Sequence, residues 1–285
     1  MPTRILDIHP HVITTDTERY PRAPLGGTQS GWSRDRPVTV LQLVAAMDEA
    51  GVHKAAIVQA STCYGYDNSY VADAVAAHPE RFTGVFSVDV LAPDAPEKIR
   101  YWVGRKLTGL RLFTTGSTMP DQTTWLDDPK SFPAWASAGE LGIPVCMQMK
   151  PSALPQLKVL IERFPNVRIV IDHLMRVPTE DGPPYAAAAG LFGLARYGNV
   201  YLKPTINSVR DATKGKATPE SFFGRLVKEF GAARIAWGSN FPASEGSLKE
   251  ILTASRAALA FLPSADQEWI FRGTAQTLYP ALADK

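Results

Sequence analysis

The chain has 285 residues, 45% hydrophobic and 20% charged, a balance that supplies ample apolar material for a buried core and excludes a disordered or fibrous protein. Its formal net charge is +2, with no basic run, which argues against nucleic acid or an anionic membrane surface as partner. Two cysteines far apart, Cys63 and Cys146, exclude a disulfide scaffold or a thiol redox motif, and no run of about 18 apolar residues exists to cross a membrane, so a cytoplasmic protein acting on a small molecule is expected.

From the N-terminus onward, short apolar runs of β character alternate with longer segments of helical period. The runs fall at 5–8, 55–59, 83–88, 109–113, 144–148, 168–171, 200–203 and 235–238. The helical segments fall at 40–50, 69–77, 96–105, 132–141, 154–163, 185–195, 219–230 and 247–260, and a further segment, 265–280, reads as an extra helix closing the chain. About eight strand-then-helix repeats predict the α/β class and a (β/α)8 TIM barrel, with residues 1–285 forming one domain. The runs are short and almost wholly apolar, as parallel strands covered on both faces require. Gly51, Gly142, Gly198 and Gly231 stand where a left-handed residue ends a helix, and Pro96, Pro133, Pro155 and Pro219 stand in first turns. The long stretch 12–37, rich in Thr, Arg, Pro and Gly, follows the first strand and predicts a lid or pocket wall, with Tyr20 and Trp32 as lining candidates. A second long connection spans 114–128.

His9 and His11 end the first run. Two residues apart on a strand, both rings leave one face, and Pro10 between them lacks a ladder N–H, which places the pair where the strand gives way to a loop. Other strand ends carry polar groups too: Gln59, Arg111, Gln148 with Lys150, Asp172 with His173, Lys203 and Asn240. Apolar runs that stop repeatedly at such residues predict a polar cavity at one end of the barrel. His173 would complete a three-nitrogen face with His9 and His11, suited to one zinc or manganese ion or, without a metal, to hydrogen-bonding a carbonyl. Because neighbours on a strand point to opposite faces, only one of Asp172 and His173 is expected to look inward, and His173 is the choice. Arg111 and Lys203 bring positive charge for an anionic substrate, while Gln59 and Gln148 supply neutral hydrogen-bonding groups. Tyr64, Asp67 and Asn68, in the loop after the second strand, are further substrate-binding candidates, Asn68 being equally suited to cap the following helix.

Taken together, Asp7-Ile8-His9-Pro10-His11, Ile171-Asp172-His173-Leu174 and Trp237-Gly238-Ser239-Asn240-Phe241-Pro242 resemble the amidohydrolase superfamily in its amidohydrolase-related branch, over essentially the whole chain. Val58-Gln59-Ala60-Ser61, Tyr64-Gly65-Tyr66-Asp67-Asn68 and Gly109-Leu110-Arg111-Leu112 resemble the lactonases of that branch, typified by 2-pyrone-4,6-dicarboxylate lactonase. The resemblance implies a hydrolase that opens a lactone ring of a carboxylate-bearing molecule, in aromatic or sugar-acid catabolism, with His9, His11, His173 and position 240 catalytic. The same branch contains metal-dependent decarboxylases of aromatic acids, which stand as the alternative. Two departures bear on chemistry. Arg111 and Gln148 stand where binuclear members carry a carbamylated lysine or glutamate and a histidine, so a two-metal centre is not expected. Asn240 replaces the aspartate that takes a proton from water; an amide orients water but cannot be its base, so either another base serves, with Asp7 and His173 as candidates, or the chain binds ligand with impaired catalysis. Oligomeric state is open, a homodimer being one option.

Overall fold

The computed structural model describes residues 4–114 and 125–284. Seven strands form one parallel sheet in chain order: β1 Ile5–Asp7, β2 Val52–Val58, β3 Phe82–Phe86, β4 Leu107–Phe113, β5 Val145–Gln148, β6 Ile169–Asp172 and β7 Val200–Lys203. Each connection carries helix, as parallel neighbours require. Helix Val40–Ala50 begins at a reciprocal capping box of Thr39 and Gln42, which is not among the starts expected from the sequence, and ends as expected at Gly51, φ 76°. Prolines occupy the first turns of Ala95–Gly104, Phe132–Glu140, Leu154–Arg163 and Pro219–Phe230.

Period-two alternation divides the apolar side chains into two bodies. Ala55, Ile57, Leu110, Leu112, Ile169 and Ile171 face outward, packed with helical residues such as Leu43, Met47, Ile99, Trp135, Leu157 and Leu226. Leu6, Ile8, Ala56, Val58, Val85, Cys146, Val170 and Ala236 face inward, where the C-terminal Leu278, Tyr279 and Leu282 complete the packing. Gly109 makes room for the Tyr279 plug, since a Cβ there would stand 2.9 Å from the ring. The Tyr279 hydroxyl meets Cys146 Sγ at 3.2 Å.

The expected eighth strand at 235–238 is not formed as one; a single bridge, Leu202 to Ile235, pairs it with β7. Its amide donors explain why. Trp237 N–H goes to the Ile270 carbonyl at 2.8 Å and Ser239 N–H to the Asp7 carboxylate at 2.8 Å, so a ladder has no continuous row of donors. Contact with both flanks persists through Ala236 N–H to Leu202 O, Ile8 N–H to Trp237 O and His11 N–H to Phe241 O, at 2.9, 3.3 and 2.7 Å. The sheet is therefore seven-stranded and curled.

Two helical segments and one glycine cap also differ from expectation. Segment 185–195 is broken into short turns around Ala189–Phe192, beginning at Tyr185 with φ 56°, and Gly198 does not adopt the left-handed conformation expected of a cap. The C-terminal segment is two short helices, Ser264–Glu268 and Thr274–Leu278, joined by a π turn at Trp269–Gly273. Stretch 12–37 contains the short helix Gly31–Asp35 and lies against the loop after β2 through Ala23 N–H to Cys63 O, Leu25 N–H to Ser61 O and Ser30 N–H to Thr62 Oγ1. Of the 114–128 connection, residues 115–124 lie outside the described residues. No helix among the described residues is long and apolar enough to cross a membrane.

Tyr279→Ala should empty the plugged interior and lower unfolding stability by about 3–5 kcal/mol, whereas Tyr279→Phe, which loses only the contact to Cys146, should cost about 1 kcal/mol. Urea unfolding followed by tryptophan fluorescence measures both, and equal losses would contradict the plug.

Candidate active site

The inward positions at the C-terminal ends of β4, β6 and β7 are charged. Asp172 stands in register with Lys203. Its Oδ1 faces Lys203 Nζ at 2.7 Å, while Oδ2 accepts from Arg111 Nε at 2.8 Å; the Asp172 and Lys203 side chains are wholly buried and that of Arg111 nearly so. Arg111 Nη2 also donates to Gln148 Oε1 at 2.5 Å, so two acceptors fix the guanidinium plane. Burial alone would raise the Asp172 carboxyl, but Lys203 and then Arg111 outweigh it and hold the group down at about 2.

Above this cluster stand three imidazoles. The His9 ring centroid lies 5.0 Å from that of His11 and 4.9 Å from that of His173. His9 is fully buried, with Nδ1 4.0 Å from Asp172 Oδ2, and neither ring nitrogen has a hydrogen-bond partner among the described residues. Burial, then Lys203 and Arg111, holds His9 well below its ordinary value. Burial is also the main cause that brings His11 and His173 down to about 3, with Arg111 adding to it in both. All three rings are thus neutral near neutral pH. His11 Nδ1 lies 2.8 Å from the Val58 carbonyl, which can only accept; that nitrogen carries the proton, leaving Nε2 bare. His173 Nδ1 meets Thr205 Oγ1 at 3.0 Å.

The expectation that only one of Asp172 and His173 reaches the interior is overturned. Strand geometry stops at Asp172, and His173 through Arg176 take positive φ values of 53°, 52°, 56° and 51°. This left-handed turn swings His173 back over the residue that precedes it, so both side chains meet His9.

A cavity of about 780 Å³ opens above, lined among others by His11, Gln59, Arg111, Gln148, His173 and Asn240. Trp32 closes one side, its ring 5.2 Å from that of His11. Asn240 Nδ2 donates to Ser244 Oγ at 2.9 Å. Lys150, Arg176 and Asn207 lie on the wall too; Arg176 and Asn207 escaped sequence reasoning because neither ends an apolar run.

Other expected residues stand elsewhere. His9 and Lys203 are beneath the cavity, not on its wall. Tyr64 is buried, its hydroxyl receiving Thr14 N–H at 2.9 Å and Arg22 Nη1 at 2.6 Å, which ties stretch 12–37 to the loop after β2. Asn68 is buried as well, exchanging hydrogen bonds with the Ser87 backbone at 2.9 and 3.0 Å instead of capping its helix or facing the cavity. Asp67 accepts from Ser69 N–H, and Tyr20 donates to Asp73. Asp7 Oδ1 accepts from the amides of His9 and Ser239, so it fixes the backbone at the seam; burial pushes its carboxyl up to about 6.

His9, Asp172 and His173 each offer a ligand atom, all within 4.8 Å of one another, and so form a candidate cation-binding group; His11, expected in that role, is outside it. The surrounding charge opposes a divalent ion. An ion bound to Asp172 Oδ1 at the usual bond length would lie no more than about 5 Å from Lys203 Nζ, where charges of +2 and +1 repel by about 7 kcal/mol at an effective dielectric constant of about 20. Arg111 covers the other oxygen. With Lys203 an ammonium, these residues do not fit a divalent metal.

A family described as amidohydrolase matches residues 6–281. The L-fucono-1,5-lactonase of Burkholderia ambifaria is 29% identical over 198 residues, 68% of this chain and 67% of that protein. Among solved structures, a Pseudomonas putida protein assigned as a 2-pyrone-4,6-dicarboxylic acid hydrolase superposes with a TM-score of 0.79 at 21% identity, covering 100% of each chain. An amidohydrolase from Burkholderia multivorans with bound zinc gives 0.78 at 20% identity, covering 97% of this chain and 99% of that one. These two likenesses speak to the fold.

The buried imidazoles predict a pH dependence of stability. His11 and His173 titrate near 3 when folded and near 6.5 when unfolded, so below pH 6.5 the unfolded chain takes up protons that the folded chain refuses, and stability falls with pH. Asp7 opposes this: its raised value gives stability that is fully present below 3.8 and is lost as pH rises through 6. Three histidines, since His9 is lowered as well, outweigh one carboxyl, so the unfolding free energy from urea titrations should drop between pH 6.5 and 5, and a His11→Asn/His173→Asn double variant should reduce the drop. An unchanged slope would contradict neutral burial.

Proposed function

The chain belongs to the amidohydrolase family, and from that premise we propose that it is a hydrolase opening the lactone ring of a carboxylate-bearing small molecule. The observation that carries the proposal is the pairing, on one cavity wall, of a fixed guanidinium with two neutral imidazoles, each held through its Nδ1. The 29% identity to a lactonase supports the reaction class. We read the curled sheet and segment 235–241 together as a (β/α)8 barrel within one domain, its cavity at the strands' C-terminal ends.

In this reading His11 is the base. Its bare Nε2 and the oxygen of the Asn240 amide beside it, whose Nδ2 is given to Ser244, together accept the two hydrogens of one water and turn its lone pair to the lactone carbonyl. His11 takes one proton as the C–O bond forms. His173, with Nδ1 receiving the Thr205 hydroxyl hydrogen, offers Nε2–H to the developing oxyanion, and Arg111 stabilises the same charge or holds the substrate carboxylate. The proton then returns to the ring oxygen as the acyl C–O bond breaks, giving a hydroxy acid. Gln59 and Gln148 supply neutral contacts to the ring, and Lys203 acts from below through Asp172. In place of the zinc or manganese ion that the histidines suggested, the polarising charge comes from these side chains. The crowding of Asp172 by two cations also weighs against the metal-dependent decarboxylase alternative.

A panel of sugar and aromatic lactones should show turnover, with His11→Asn losing about 10²–10⁴-fold in kcat. Asn240→Asp should stay within about tenfold of the parent, since water orientation survives the change; a gain of several orders of magnitude would show that an aspartate base is the missing part and sink the His11 assignment. Carbon dioxide released from aromatic acids, with no lactone opened, would replace the reading by decarboxylation.

A further inference from the structure

We propose that Lys203 is the resident cation of this centre: it occupies the electrostatic place of a divalent ion among His9, Asp172 and His173, and so excludes metal. The first support is position. Lys203 is wholly buried, with Nζ 2.7 Å from Asp172 Oδ1, and Asp172 is the one carboxylate in the group of potential ligands. The second is that the fold makes space for it. A Cβ at Gly238 would come within 3.3 Å of Lys203 Cγ and Cδ and 2.6 Å of His9 Cβ, so the glycine leaves the channel in which the lysine stem runs beneath His9. The third is that Arg111 Nε covers the other Asp172 oxygen, leaving an incoming ion no carboxylate oxygen without a cation already on it. The fourth is that His9 keeps both ring nitrogens without partners among the described residues, so the ligand atoms survive while the charge that would use them is supplied otherwise.

The inference concerns occupancy of the centre and stands whether or not the substrate is a lactone. It predicts that the metal site is latent. A neutral side chain of similar length, as in Lys203→Met, removes the repulsion, keeps the packed stem and releases Asp172 Oδ1 as a ligand.

The experiment compares chelator-treated wild type with Lys203→Met after equilibration with zinc sulfate and gel filtration, reading zinc per chain by elemental analysis. Cobalt(II) replaces zinc in a parallel arm, read by its visible d–d absorption. Wild type should retain far less than one ion per chain and give no tetrahedral cobalt spectrum; Lys203→Met should retain close to one ion and develop that spectrum. Lys203→Met/His9→Asn, lacking one ligand, should fall back toward the wild-type zinc content. A wild type that holds one zinc and gives the cobalt spectrum overturns the proposal, as does a folded Lys203→Met with no more zinc than wild type. Should Lys203→Met fail to fold by circular dichroism, Lys203→Gln takes its place, and the wild-type arms decide by themselves. Lactone turnover is assayed separately, so a failed substrate assignment and a failed cation assignment give different results.

Discussion

The Asp172 carboxylate, shared between Lys203 and Arg111, is the interaction on which the rest of the site depends. It joins the ends of β4, β6 and β7 through three charged groups that water scarcely reaches. Charges removed from water are expensive unless partners satisfy them, and loss of one partner from a buried pair costs several kcal/mol. Here the loss of Asp172 would leave two cations facing one another, a greater penalty than either pair suggests alone. The cluster carries one net positive charge, which acts on the imidazoles above. Its two cations add to burial in keeping His9 and His11 unprotonated, and at His173 they oppose the upward pull of Asp172; unprotonated rings are the ones able to accept a proton or donate a hydrogen bond without repelling Arg111.

A second constraint closes the seam between β7 and β1, where an eighth strand would otherwise run. Asp7 substitutes a carboxylate for a strand edge: one oxygen takes two backbone amides, from His9 and Ser239, that a ladder would have paired with carbonyls. A side-chain acceptor does not demand that the chain continue in extended form. Segment 238–241 is accordingly free to turn, and Asn240 adopts φ 59° and lines the cavity. The same carboxylate fixes the backbone of His9. Burial outweighs the Ser239 side chain, the two amide bonds and the Lys203 charge in raising its pKa to about 6.

Much of this was legible in the residues because the physics is local. Strand and helix alternation followed from period: helices Val40–Ala50, Ser69–Ala77, Leu154–Arg163 and Pro219–Phe230 lie where their apolar spacing puts them, with capping residues at the first and last of these and a first-turn proline at the last two. The strand-end rule brought His11, Gln59, Arg111, Gln148, His173 and Asn240 to one cavity. What failed was information carried by distant partners. Nothing near Trp237 says that its amide will be claimed by Ile270, which is why 235–238 reads as a strand. Tyr64 and Asn68 have suitable chemistry at a suitable loop, but Thr14, Arg22 and Ser87 engage them first. Lys203 looked like a substrate ligand because its sequence position says nothing of Asp172 across the β6–β7 register.

The left-handed turn at 173–176 is the clearest case of local preference yielding to the site. Each L-residue in that conformation costs roughly 1–2 kcal/mol, and four in succession form a segment no propensity scale would propose. It persists because its side chains are held apart from one another: Leu174 and Met175 are buried in the core, and His173 is held by Thr205, which caps the short helix Ile206–Asp211 after β7. A right-handed continuation would carry His173 away from the strand axis and leave Asp172 alone beneath His9. The reversed turn sets an imidazole directly over the buried carboxylate and places Arg176 on the cavity wall in the same four residues. Backbone strain at this point thus converts one strand end into two inward-facing groups, which the alternation of a regular strand forbids.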